Sequence, residues 1–263
     1  MERLLLLRLR SVGCSAEARL NDIPVARTPA SGGAVDLPVH EYMFEGANTL
    51  ALAIEPSLPG AVPKPRLSLH TTGASLRLLL PRVDQVGSES SARTLAELDW
   101  ALPEGEVYLP QTAASRQVDL PIKFPRWRWL DMPVIDEPIE VQPLVAAFVQ
   151  TLAVSLAKGD ADTFLQAARL RFEELAAAYQ QTPADLAARW RSRIQLLHAT
   201  QALRPVFAPP NELLLRPCAH NRLLECVSAG GEPALRTEPA ADGSSQAWPI
   251  RVAVVDGRCH IVR

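Results

Sequence analysis

The chain lacks most of the residue patterns on which catalysis, disulfide scaffolding or secretion are usually built. Four cysteines in 263 residues, Cys14, Cys218, Cys226 and Cys259, are too few for a disulfide framework in a chain this long. Neither a G-x-S-x-G nucleophile elbow nor a glycine-rich phosphate loop of either common kind occurs. Gly230-Gly231 leads into Glu232-Pro233, which cannot open a helix over a phosphate. A net charge of −2, with 21% charged residues, excludes a polybasic nucleic-acid binder and a disordered acidic tail. The N-terminal MERLLLLRLRS is interrupted by Arg8 and Arg10, and has no long apolar region or small-residue cleavage site. Leu4 to Leu9 is far too short to span a bilayer. These absences lead us to expect a soluble cytoplasmic protein that needs no cofactor.

Proline, by contrast, is abundant, with 23 residues that fall mostly outside the expected helices. That suits a loop-rich β domain better than a helical array. A hydrophobic content of 48% is enough for one large core or two ordinary ones. Up to about residue 142, short apolar segments alternate with Gly, Pro, Ser and Asn. Leu50, Leu52 and Ile54 have a period of two, as do Leu67 with Leu69 and Leu76 with Leu78 and Leu80. The clearest strand is Val118, Leu120, Ile122 and Phe124. Strands at this spacing predict an antiparallel β-sandwich or jelly roll over 1–142.

The segment 123–143, KFPRWRWLDMPVIDEPIEVQP, is a Pro- and Trp-rich junction where the pattern changes. The second domain, 143–263, opens with three expected helices. Leu144, Phe148, Leu152 and Leu156 recur every four residues, and Gly159 can close that helix. Asp160 or Asp162 can cap a second helix, with a stripe from Phe164 through Phe172 to Tyr179. Thr182-Pro183-Ala184-Asp185 opens a third, with a hydroxyl cap and proline in the first turn. Strands follow, ending in WPIRVAVV-DG-RCHIVR, where Asp256-Gly257 marks a two-residue hairpin. The predicted fold class is therefore α+β: a sandwich, then three helices on a small antiparallel sheet.

Two stretches resemble known folds. LPVHEYMFEGANTLALAI resembles a recurring piece of sandwich domains found beside sugar-processing enzymes, in which a Tyr, Gly-x-Asn run closes one sheet edge. The helices followed by a meander ending in the Asp-Gly hairpin look like the α+β cone of nuclear-transport-factor-2-like and cystatin-like folds. Both resemblances concern fold, and such folds host many activities.

Candidate chemistry is sparse. Cys218, His220, Cys226, Cys259 and His260 lie close in sequence or on neighbouring strands, but C-x-H and C-x7-C match no zinc knuckle. In the hairpin register Cys259 pairs with Val254 and His260 points to the opposite face, so buried apolar cysteine is the better account and no metal is expected. His40, His70 and His198 read as surface or capped histidines. In an extended conformation Arg126-Trp127-Arg128-Trp129 puts the tryptophans on one face and the arginines on the other. Trp127 and Trp129 are expected to pack at the domain junction, although sugar stacking or single-stranded nucleic acid would use the same pattern.

Charge is unevenly distributed. Residues 1–142 carry −4 and residues 143–263 carry +2. Asp131, Asp136, Glu137 and Glu140 follow Arg128 with no base before Lys158. An acidic surface of this kind steers toward a basic protein, as inhibitors of nucleases do, which makes these acids, with Arg126 and Arg128, the expected partner-binding residues. RSVGCSAEARLNDIPV and LPVHEYMFEGANTLAL are, moreover, similar to proteins encoded beside bacterial type VI secretion effectors as immunity or accessory proteins. That resemblance implies a non-catalytic module that silences a cognate toxin in the cytoplasm, without binding nucleic acid or membrane itself. The alternatives are carbohydrate binding by the sandwich, and a small-molecule enzyme or binding protein using the C-terminal cone.

Overall fold

The structure is a computed structural model that describes residues 4–81, 92–200, 204–239 and 245–263; Met1–Arg3 of the N-terminal run lie outside these. The chain divides into two compact units, Met1–Pro125 and Arg126–Arg263. Residues 126–142, which strand patterning had assigned to the first domain, thus fall in the second.

The first unit contains β1 (Leu6–Val12), β2 (Ala16–Leu20), β3 (Ile23–Arg27), β4 (Gly32–Pro38), β5 (Gly46–Ile54), β6 (Arg66–Leu67), β7 (Thr72–Leu80), β8 (Arg93–Leu102), β9 (Val107–Tyr108) and β10 (Ala113–Leu120). They make two four-stranded antiparallel sheets, β4-β1-β7-β8 and β10-β5-β2-β3, and a two-stranded ribbon, β6-β9. Alternation along the strands buries Leu7 and Leu9, Leu50, Leu52 and Ile54, and Leu76 and Leu78 in a sandwich-like core. The strand expected over Val118–Phe124 instead ends at Leu120, where Pro121 has no N–H to give to a ladder. The ribbon pairs Leu67 with Val107. Leu67 and Val107 therefore share one face, and both are exposed, as are Leu69 and Leu109 just beyond the ribbon.

The run containing Gly46-Ala47-Asn48 is held by a buried amide pair. Asn48 donates to the carbonyls of Phe44 and Gly46 at 2.7 and 2.9 Å and accepts from the Phe44 N–H at 3.0 Å. Asn21 reaches the same region from the β2–β3 turn. Asn21 and Asp22 both have positive φ, at 49° and 66°, as a two-residue type I′ turn requires.

The second unit contains α1 (Pro138–Ala157), α2 (Ala161–Ala167), α3 (Arg169–Tyr179) and α4 (Pro183–Ala199), then β11 (Pro205–Phe207), β12 (Leu214–Cys218), β13 (Leu223–Val227), β14 (Leu235–Thr237), β15 (Arg251–Val255) and β16 (Arg258–Ile261). One sheet has the order β12-β13-β15-β16 and a ribbon pairs β11 with β14. The architecture is α+β, but among the described residues it has four helices rather than three and two separate β elements. The second expected helix breaks at Ala168, whose φ of −93° and ψ of 10° leave the helical region, although the apolar stripe of Phe164, Ala168 and Phe172 continues across the break.

Helix α1 begins six residues earlier than its apolar period suggested and carries Pro143 inside it. Its buried row is Val145, Val149, Leu152 and Leu156, each contributing roughly 1.5–3 kcal/mol by leaving water. The expected row only partly coincides: Leu144 is exposed and Phe148 half-buried. The helix is apolar on all sides, so its period could not select the buried face. By length and composition α1 could cross a membrane, with a third of it buried inside the unit. Gly159 closes it at φ 74°, and the His198 ring lies where a Cβ would sit, which gives His198 a packing role.

Candidate protein-binding surface

The segment entering α1 is pinned at two points. The Ile135 N–H donates to the Asn221 carbonyl at 2.8 Å, and the Arg222 guanidinium donates to the Met132 carbonyl. Met132 and Ile135 are buried while Asp136 and Glu137 stay in water. Glu137 is the N-cap residue, Pro138 stands in the first helical turn and Glu140 follows in that turn. Carboxylates there complement the positive end of the helix dipole.

The structure separates the residues that charge patterning grouped together. Arg126 and Asp131 close on each other through two parallel hydrogen bonds of 2.9 and 2.6 Å. That pairing holds the Asp131 carboxyl below its usual range. Arg128 pairs with Glu173 at 2.6 Å, and its backbone N–H is taken by Glu174. These three side chains are committed within the unit. Asp136, Glu137 and Glu140 remain, and among the described residues none of them forms a salt bridge with a base.

These acids surround a hollow of about 380 Å³ lined also by Val134, Ile135, Val141 and Val254. Exposed apolar residues run on from them along the chain into α1. Val134 is 47% exposed, Ile139 69%, Leu144 37% and Val154 43%. Ala147 and Thr151 lie between Leu144 and Val154 on the outward side of α1. The acids are legible in the sequence but these apolar residues are not, because the four-residue period places Leu144 in the core.

Trp127 and Trp129 are each 1% exposed. The Arg263 guanidinium lies 5.9 Å from the Trp127 ring centroid, and Trp129 stands in a short 3-10 turn, Arg128–Asp131. Tryptophan inward and arginine outward is the predicted alternation, but rings this deeply buried offer no face for stacking on sugar.

Cys218 and Cys226 are buried and Cys259 is half-buried. Cys259 pairs with Val254 and His260 with Ala253, in the register set by the two-residue turn. Among the described residues, no group of three or more His, Cys, Asp or Glu is placed to hold a metal ion. In the first unit the His40 ring packs on Phe124 at 4.7 Å, and burial lowers its pKa. No family model matches the chain, and no curated protein or solved structure is significantly similar to it.

Proposed function

We propose that this protein is a non-catalytic protein-interaction module, and that it binds a basic partner through the start and outward face of α1. One juxtaposition carries the proposal: Asp136, Glu137 and Glu140, with which no base among the described residues pairs, lie in the same stretch as exposed Val134, Ile139 and Leu144, with exposed Val154 further along α1. An apolar centre flanked by charge of one sign suits an amphipathic basic segment, with the acids setting orientation and on-rate and the apolar row contributing most of the affinity. In the more specific form, suggested by the resemblance to proteins encoded beside type VI secretion effectors, the partner is a toxin whose working surface is covered. A nuclease fits, since a phosphate-binding surface is basic.

The test is co-purification from the native operon. The expected result is a one-to-one complex with the product of an adjacent gene, weakened at least tenfold by Asp136→Lys with Glu137→Lys. A protein that runs alone from its operon would remove the toxin-inhibitor reading. The carbohydrate alternative loses its platform with the burial of Trp127 and Trp129. A small-molecule reading draws support from a second hollow in the same unit.

A further inference from the structure

Helix α4 presents three arginines at every second position, and they are treated differently. Arg191 ends on the Asp162 carboxylate at 2.5 Å. Arg189 and Arg193, one turn apart, instead donate to the side-chain carbonyls of Gln181 and Gln246. Among the described residues, neither of these two guanidiniums forms a salt bridge with a carboxylate. A glutamine oxygen orients a guanidinium without neutralising it, so both charges remain available.

Both arginines line a hollow of about 320 Å³ with Gln181, Leu186 and Trp190. Gln180, at φ 52°, ends α3 in the left-handed region. The Gln181 N–H then donates to the Ala176 carbonyl at 2.9 Å, fixing this residue beside the start of α4. The Trp190 ring is held by Phe164 and Phe172, at centroid distances of 5.8 and 6.2 Å. The Arg193 guanidinium lies 6.0 Å from its centroid. The nearest acid in sequence, Asp185, accepts from the Thr182 hydroxyl at 2.7 Å and belongs to the helix cap.

We propose that this hollow binds a small-molecule oxyanion carried on a planar ring, either an aryl phosphate or an aromatic carboxylate. The two guanidiniums supply charge-assisted hydrogen bonds in fork geometry, and Trp190 with Leu186 supplies an apolar surface for the ring. The size falls at the low end of small-ligand sites. The site is independent of the protein-binding surface on α1, and losing either leaves the other standing.

Calorimetric titration of the full chain at low salt with phenyl phosphate, benzoate and inorganic phosphate tests the proposal. Phenyl phosphate or benzoate should bind at least about tenfold more tightly than inorganic phosphate, the increment a stacked ring supplies. The order of those two identifies the oxyanion. Arg189→Gln with Arg193→Gln should lower that affinity about tenfold or more, while Arg191→Gln leaves it nearly unchanged. Equal affinity in the double variant, or no heat with any of the three probes, overturns the site. Should the double variant melt early, the wild-type Trp190 indole N–H resonance decides: it must shift on adding phenyl phosphate, and a stationary resonance overturns the site equally.

Discussion

Asn21 donates its side-chain amide to the Oδ1 of Asn48 at 2.8 Å, with both residues buried. The Asn21 Oδ1 accepts from the Thr49 N–H at 2.9 Å, and its amide also reaches the Tyr42 carbonyl at 2.8 Å. With the bonds from Asn48 to Phe44 and Gly46, the pair ties the β2–β3 turn to the entry of β5. Replacing Asn48 by Ala removes one of the two acceptors of the Asn21 amide, the acceptor of the Phe44 N–H and the side-chain donor to the Phe44 and Gly46 carbonyls. At about 0.5–1.5 kcal/mol for each of the four hydrogen bonds lost, we expect a loss of about 2 kcal/mol or more. Urea unfolding followed by a probe in the first unit measures it, and a loss below about 1 kcal/mol would contradict the role given to Asn48.

A second test concerns the apolar row on α1. Ile139→Ser and Leu144→Ser remove exposed surface and should change stability by less than about 0.5 kcal/mol each. They should nevertheless weaken partner binding about tenfold or more if that row is the centre of an interface. Leu67→Ser and Val107→Ser on the β6–β9 ribbon of the first unit serve as controls and should leave affinity unchanged. Affinity measured by surface plasmon resonance at two salt concentrations separates the contributions. The Asp136 and Glu137 variants should lose salt dependence, whereas the Ile139 and Leu144 variants should keep it.

Local chemistry was readable in the sequence wherever one residue type fixes one backbone state. Asp256-Gly257 set the register of Val254 against Cys259, and Thr182 caps α4 by accepting from the Asp185 N–H at 3.1 Å. Asn21-Asp22 adopts the same kind of turn but lacks the glycine that makes Asp-Gly a clear signal. The start of α1 was missed because Pro143 suggested a boundary, whereas Pro138 and Pro143 both lie inside the helix. The break at Ala168 carries no glycine or proline to mark it. As for the candidate surface, its acids were visible as a run of charge, but the exposed side of the helix that follows them was not. With apolar residues on every side of α1, only the packing of Val145 and Val149 decides which side faces out.

The Arg126–Asp131 pair makes a prediction about titration. The hydrogen bonds from Arg126 are the main cause that lowers the Asp131 pKa. A carboxyl depressed in the folded state contributes its stabilisation above the unfolded pKa and loses it as pH falls through the folded value. Carboxyl carbon NMR should place the Asp131 midpoint below that of an ordinary aspartate, and Arg126→Ala should return it upward. Because the charge is already answered within the unit, Asp131→Asn should alter partner affinity less than Asp136→Asn does.

The cysteines give the opposite sign. Burial pushes the Cys259 thiol up to about 11 and also raises Cys226 and Cys14. A thiol whose folded pKa is raised contributes stability that is intact below the unfolded value and is lost as pH climbs toward the folded one. For Cys259 the window runs from about 9 to about 11. In a melting series across that window, wild type should lose more stability than the Cys226→Ala, Cys259→Ala double variant, once each is referenced to its own value at pH 8. The Tyr108 hydroxyl, pushed up to about 12 by burial and by its hydrogen bond with Glu55, titrates the same way in both proteins and cancels in the comparison. Reactivity provides a second reading at pH 8. The raised pKa leaves native Cys259 far less thiolate at pH 8, so it should react with iodoacetamide at least about tenfold more slowly than the unfolded chain. Rapid native labelling of Cys259, located by mass spectrometry, would show instead that β16 opens readily enough to expose it.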